Sequence, residues 1–530
     1  METVRYRNLD RLDSFRHLLK KTPPDLADVL NERRVRKYEI ETDIGKGERF
    51  FYNYSAKQVD ENILRNLQDL AEEQQLIEKY RAIVTGEIMN TGEERRVLHH
   101  LARGIVLTDV IHEGKSLRQF YRSQQERIAA FCGDVRAARI CTPAGRRFET
   151  VVQVGIGGSD LGPRALYLAL QNYRTAGSLA AYFISNVDPD DAAEVLQKVD
   201  PETTLFILVS KSGTTQETRA NENLILHYLR QKNIREPRKH IICITSETSP
   251  LASRGDYLAH FFINDFIGGR YSSTSAVGGA ILSLALDPSI FAEILEGAAA
   301  ADHAALETKL QNNGAMLDAL IGVWERNVLN FPVTAILPYS QALSRFPAHL
   351  QQLDMESNGK QVNRRAEVIT YATGPVIFGE PGTNGQHSFY QLLHQSNDIV
   401  PLQFIGFLQN QENLDTEWEH STNRQKLNAN LAAQITAFAL GRKHANGNKN
   451  FPGGRPSSLL YAEKLSPRVL GALLSHFENK VMFQGLIWNI NSFDQEGVQL
   501  GKVLTAQVLS SETLNGALLE FSRKLGLRPN

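Results

Sequence analysis

Apolar and polar positions alternate with two different rhythms along this chain, and the change of rhythm divides it. Over residues 1 to about 125, apolar residues recur at intervals of three and four, as in NILRNLQDLAEEQQLIEKY, the spacing of helices with one buried face. No strand-turn-helix unit is read there. From about Arg147 short β-branched runs take over, each followed by Gly, Ser or Thr and then a helical segment. TVVQV, AAYFIS, TLFILVS and HIICIT form one series. VTAILPY, EVITYA, PVIFGE and IVPLQFIGF form a second, beyond a helical stretch at about 288 to 330. Runs apolar on both faces that alternate with helices predict parallel βαβ units, hence an α/β protein. No tandem repeat of 20 to 50 residues is visible.

In such sheets ligands sit beyond the carboxyl ends of the strands, so the chemistry is sought where strands turn into helices. After TLFILV the chain reads SKSGTTQET. Thr214 and Glu217 have capping-box spacing, which predicts a helix start there. Ser210, Ser212, Thr214 and Thr215 add hydroxyls to the helix-start amides, Lys211 adds an ammonium, and Gly213 permits a tight turn. Such a loop suits an anion, although Ser/Thr/Gly turns are common without any ligand. The loop VGIGGSDLGPRAL, residues 154–166, follows the first strand. Its glycines suggest a dinucleotide turn, but Asp160 stands where the third glycine of that fingerprint belongs. Asp188, the available ribose acid, lies 33 residues beyond Gly155 instead of roughly 20. A nucleotide site is the weaker reading.

Three segments offer proton chemistry. SRFPAHLQQLDMESNGK predicts a helix ending near Ser357, stopped by Asn358-Gly359. Glu356 falls in its last turn, where the helix's negative end favours a general base. In PVIFGEPGTNGQHSFYQLLHQ, His387 is expected at a helix N-terminus, with His394 on the same side of that helix and one of the two a packed or capping residue. In NINSFDQEGVQLGKVL, Asp494 is expected to cap a helix carrying Gln495 and Lys502 on nearly one face.

Composition narrows the partners. With 530 residues, 42% hydrophobic and 22% charged, the chain can build two or three domains. A formal net charge of -1 without long single-sign runs argues against a nucleic-acid or anionic-membrane surface. Cys132, Cys141 and Cys243 have no metal-ligand spacing and suit a reducing compartment. The amphipathic N-terminus lacks the apolar core of a secretory signal, and AVGGAILSLAL, the longest apolar stretch, is too short to span a bilayer. A cytoplasmic protein is expected.

Read together, the motifs resemble a known family. FINDFIGGRYSSTSAVGG (262–279) and GLIWNINSFDQEGVQLGK (485–502) are similar to the two signature segments of the glucose-6-phosphate isomerase (phosphoglucose isomerase) family, and SKSGTTQET, MESNGK and GTNGQHSFYQ match further blocks in the same order. The resemblance runs from about Asn90 to Lys502. It implies two sugar-isomerase domains, each a five-stranded parallel sheet flanked by helices, at 126–287 and 288–505. Helical extensions are then expected at 1–125, packing on the second domain, and at 506–530. It implies a homodimer without cofactor or metal that interconverts glucose 6-phosphate and fructose 6-phosphate in glycolysis and gluconeogenesis. By resemblance, Glu356 is the base, His387 and Lys502 serve ring opening, and Arg270 stabilises a cis-enediolate. Ser210, Lys211, Ser212 and Thr215 contact the phosphate end, and Gly158, Ser159, Gln352 and Gln495 complete the pocket, with His387 supplied by the partner subunit. Gln499 stands where the family has Glu, and Ser212-Gly213 where its animal members often have Thr-Phe. A non-catalytic phosphosugar-sensing module would need the hydroxyl loop but not Glu356, His387, Arg270 and Lys502 together. An amidotransferase-type hexosamine isomerase would need an N-terminal catalytic cysteine, where this chain has Glu2.

Overall fold

The computed structural model describes residues 4–510 and 514–527, in two compact units, Met1–Ser492 and Phe493–Asn530. Besides three two-stranded sheets, the first unit contains, among the described residues, two large ones. Numbered along the chain, their strands are β1 (Glu39–Asp43), β2 (Arg49–Asn53), β3 (Thr150–Val154), β4 (Ala180–Ile184), β5 (Thr204–Val209), β6 (Ile241–Ser246), β7 (Ala259–Ile263), β8 (Val333–Pro338), β9 (Val376–Phe378), β10 (Leu402–Phe407) and β11 (Ser457–Ala462).

The first sheet has the order β7-β6-β5-β3-β4 and is parallel throughout, with Val152 opposite Phe206 on one side and Tyr182 on the other. Every residue of β5 and β6 is buried, because helices cover both faces and no position is left for alternation. Val152, Phe206, Leu208 and Cys243 pack there against Ile225 and Leu229 of the helix Gln216–Gln231. The order places the reversal of winding between β3 and β5. The glycine loop follows β3 and the hydroxyl loop follows β5, so the two flank the crevice where an open sheet binds ligands.

The second sheet has the order β1-β2-β11-β10-β8-β9. Strands β8 to β11 are parallel, with the reversal again beside the first of them, β8. Among the described residues the expected fifth parallel strand does not join them. Its place is taken by β2, antiparallel to β11 and hairpinned to β1, both from the N-terminal segment read as helical. Tyr52 of β2 fixes this graft, donating to buried Asp318, which also accepts from Gln403 of β10 and pairs with His476 and Lys480. EVITYA is not a strand; it makes only an isolated bridge, Val362 with Val368, and Val368 is 80% exposed, so its β-branched residues have no sheet to bury them. The helix Pro467–Ile487, buried along its whole length, packs on the helix Pro288–Ala304.

Among the described residues the second unit holds two α-helices, Gln499–Leu509 and Gly516–Lys524, after a 3-10 turn at Glu496–Val498. Among the described residues no helix is long and apolar enough to cross a membrane.

Candidate active site

The Arg270 side chain is the centre of the polar groups that the fold gathers. It leaves the 3-10 turn Gly269–Thr274, beyond β7, and is almost wholly buried. Its Nε donates to Ser357 Oγ at 2.6 Å and its Nη2 to the carbonyl of Ser492 at 2.6 Å. Its Nη1 faces Glu356 Oε2 at 3.5 Å, and that oxygen has no hydrogen-bond partner although it is itself buried. The Glu356 side chain as a whole is 20% exposed.

Glu356 reaches this place from the second lobe. The helix Phe346–Gln351 after β8 widens into a π-helical turn, Gln352–Glu356, and stops at Asn358 as the Asn-Gly pair predicts. Such turns often mark functional sites. Asn358 Nδ2 donates to Asp354 Oδ1 at 3.3 Å and to Val481 O at 3.1 Å, while its Oδ1 accepts from Ser492 Oγ at 2.7 Å, which ties the helix end to the segment behind the guanidinium. Burial pushes the Asp354 carboxyl up to about 6, with Lys480 pulling the other way.

The glycine loop closes a further side. A Cβ on Gly158 would stand 2.1 Å from the carbonyl carbon of Gly269 and 2.7 Å from Arg270 N, so the two backbones touch where only glycine fits. Ser272 Oγ donates to Gly158 O at 3.4 Å. Gln352 is brought to the same loop, its Nε2 only 3.2 Å from the position of a Gly157 Cβ, and its Oε1 has no partner. Ser159 is half-buried, with its carbonyl held by Gln153 at 2.7 Å.

At the hydroxyl loop, Ser210 Oγ donates to Thr215 Oγ1 at 3.0 Å and accepts from Gly213 N at 3.1 Å, while Thr214 donates through both N and Oγ1 to Ser212 Oγ. Gly213 has φ +68°, the left-handed turn expected of it. The capping box does not form: the helix Gln216–Gln231 has Thr215 as its N-cap, without a side-chain cap bond, because Thr214 is engaged with Ser212. Its first amides are therefore left without a side-chain acceptor, as an anion site requires. Lys211 Nζ reaches the carbonyl of Ile267 at 3.3 Å, and burial lowers its pKa, with Asp265 opposing.

The remaining expected residues belong to other elements. His387 ends a 3-10 turn, Asn384–His387, before the short helix Tyr390–Gln395, and is exposed. It is thus not at that helix's N-terminus. His394 is the packed histidine, stacked on Phe438 with ring centroids 3.7 Å apart and bonded to Gln434 at 2.9 Å. Gln495 and Lys502 are exposed and do not share a helix: Gln495 precedes the 3-10 turn Glu496–Val498, and Lys502 lies on the helix Gln499–Leu509 of the second unit. Ser357, Tyr271 and Ser492 were given no role from the sequence, and Asn358 only that of a helix stop. Each lies inside a quoted motif, within a few residues of Glu356, Arg270 or the Asp494 segment, and that proximity was the only signal.

A hydroxyl-rich loop at a switch point, with a carboxylate set against a buried guanidinium, is an arrangement suited to an α/β enzyme that anchors an anion and moves a proton. Comparison with known proteins is specific. The phosphoglucose isomerase family profile matches residues 53–522. A glucose-6-phosphate isomerase of Treponema denticola is 56% identical over 98% of this chain and 100% of its own, and one of Borreliella afzelii is 47% identical over 98% and 99%. The crystal structure of a glucose-6-phosphate isomerase from Chlamydia trachomatis superposes with a TM-score of 0.89 at 44% identity, covering 95% of this chain and 96% of that one. The chain belongs to the phosphoglucose isomerase family.

Proposed function

We propose that this protein catalyses the reversible isomerisation of D-glucose 6-phosphate and D-fructose 6-phosphate, by ring opening and proton transfer through a cis-enediol, as an enzyme of glycolysis and gluconeogenesis. The observation that carries the chemistry is the Glu356 oxygen with no hydrogen-bond partner, 3.5 Å from the Arg270 guanidinium. Glu356 takes the proton from one of the two carbons C1 and C2 and returns it to the other. The negative charge that develops on the enediolate oxygen falls beside a cation already fixed in place, so little reorganisation is needed when it forms. Ser210, Lys211, Ser212, Thr215 and the helix-start amides bind the phosphate. This remote anchor sets the reacting carbons against Glu356. Gly158, Ser159 and Gln352 line the sugar. A merely sensing module would not need Glu356 placed with one oxygen unpaired against a buried guanidinium.

His387 and Lys502 serve ring opening, with Gln495 beside the substrate, and His387 comes from the partner of a homodimer. Two features support that assembly: His387 is exposed, and so are Val498, Leu500, Val503 and Leu504 at and beyond the start of the helix that carries Lys502. The sugar-isomerase domains are taken as 126–287 and 288–505, with extensions at 1–125 and 506–530.

A coupled assay that follows glucose 6-phosphate formation from fructose 6-phosphate tests the activity, and no turnover by folded protein would refute it. Mixing Glu356→Gln with His387→Ala after reversible dissociation tests the shared site. A mixed dimer has one site carrying both defects and one intact, so activity returns if the histidine crosses over and stays absent if it does not.

A further inference from the structure

We infer that Ser357 is a positioning residue for this reaction, aiming the Arg270 guanidinium at Glu356 through a neutral clamp. The inference rests on the proposed roles of Arg270 and Glu356.

A guanidinium offers its N–H groups in one plane, with Nε and Nη2 sharing an edge. Ser357 Oγ and the Ser492 carbonyl occupy that edge, both at 2.6 Å. Two in-plane contacts stop the group from rotating and leave Nη1 directed at Glu356. Neither acceptor carries a formal charge, so the clamp fixes direction without neutralising the cation. Ser357 is 0% exposed and is itself held, since its Oγ shares a second hydrogen bond with Tyr271 OH at 3.1 Å. The opposite acceptor is held too, because Ser492 Oγ donates to Asn358. Ser357 is also the residue after Glu356, at the exit of the π-helical turn. One short segment therefore carries the base and the group that orients the base's electrostatic partner.

The test is steady-state kinetics on fructose 6-phosphate, per folded dimer or monomer, in two backgrounds. Ser357→Ala should lower kcat about 10-fold and change KM by less than about 2-fold, the pattern of an interaction made mainly in the transition state. In an Arg270→Lys background, where no Nε–H remains to be held, adding Ser357→Ala should change kcat little, since residues acting as one unit are not additive. An equal fall in both backgrounds would overturn the clamp, as would a Ser357→Ala enzyme with the parent's kcat. If Ser357→Ala does not fold, Ser357→Cys retains a weak acceptor of similar size and should show the same kcat-selective loss, smaller; a loss confined to thermal stability would reduce Ser357 to a packing role. Failure of the underlying reading looks different: an Arg270→Lys enzyme with the parent's kcat removes Arg270 from the reaction, and the clamp falls with it.

Discussion

Two buried arginines, 167 positions apart in the chain, are held by different kinds of partner, and only one of them has a proposed role in the chemistry. Arg103 is closed. Its Nη1 donates to both oxygens of Asp302 at 3.1 Å, its Nη2 pairs with Glu478, and its Nε donates to Thr274 Oγ1 at 3.1 Å. Asp302 is satisfied further by Ser475 and Asn479, and all three ionic side chains are essentially inaccessible. Arg270 is open. Its edge is held by a hydroxyl and a carbonyl, and the carboxylate it faces stands at 3.5 Å with an unpaired oxygen in a side chain that solvent still reaches. The two are neighbours, since Thr274 ends the turn that carries Arg270. Two carboxylates enclose Arg103, whereas the Nε–Nη2 edge of Arg270 meets a hydroxyl and a backbone carbonyl.

The largest effect should come from removing the proposed base beside Arg270. Glu356→Gln keeps shape and removes basicity, so kcat should fall by about 10²- to 10⁴-fold with KM for fructose 6-phosphate nearly unchanged. A variant turning over near the parent's rate would place the base elsewhere. Next, Arg103→Met should break the closed site by stranding two buried carboxylates. The expected loss is about 3–5 kcal/mol of stability, read from the urea midpoint, with a far smaller effect on the kcat of the folded enzyme than Glu356→Gln has. If Arg103→Met instead lost turnover and kept its midpoint, the contrast between the two arginines would be wrong.

The closed site should also show itself in pH. Burial pushes Glu478 from an ordinary 4.5 up to about 7, with Arg103 opposing. Between those values the native state holds a proton that the unfolded chain has released. The stability this group contributes is therefore complete below about 4.5 and is lost as pH rises to about 7. Glu478→Gln, which cannot titrate, should flatten the fall in stability over that window, by at most about 3 kcal/mol. Parallel stability curves for the two proteins at pH 4.5 to 7 would show that Glu478 keeps an ordinary pKa.

Much of this was legible in local pattern. The strands β3, β5, β6, β8 and β10 are runs apolar on both faces, and the Asn-Gly stop places Glu356 at a helix end. The errors came where distant partners decide. RFFYN becomes a strand because β11 offers an edge, EIETD because RFFYN then offers another, and EVITYA stays irregular because no edge meets it. Thr214 had capping spacing, yet Ser212 took its hydroxyl. Ser357 and Ser492 could not be singled out at all. Their value lies in which nitrogens of Arg270 they meet, and no spacing encodes a contact between residues 270, 357 and 492.

The hydroxyl loop offers the finest version of the comparison, because its polar groups are satisfied by one another and still open. Ser210 Oγ both donates to Thr215 Oγ1 and accepts from Gly213 N, so these hydroxyls are held in place before any anion arrives. Thr215, the N-cap, spends no side-chain bond on the helix it starts. Oxygens held this way turn their hydrogens to a phosphate at little cost, whereas the backbone amides beside them would bind it even without the hydroxyls. Changing Ser210 and Thr215 together to Ala should therefore weaken substrate by a modest factor, on the order of 10-fold in KM, as expected for losing one or two hydrogen bonds to a charged group. The kcat at saturating fructose 6-phosphate should stay within about 3-fold, because the interaction is made equally in ground and transition states. Competition by a non-reacting aldonate phosphate separates anchoring from chemistry, since its inhibition constant should rise by the same factor as KM. An unchanged inhibition constant would mean that the anion sits on other groups, and the loop would then belong with Arg103 among the parts that only hold the fold.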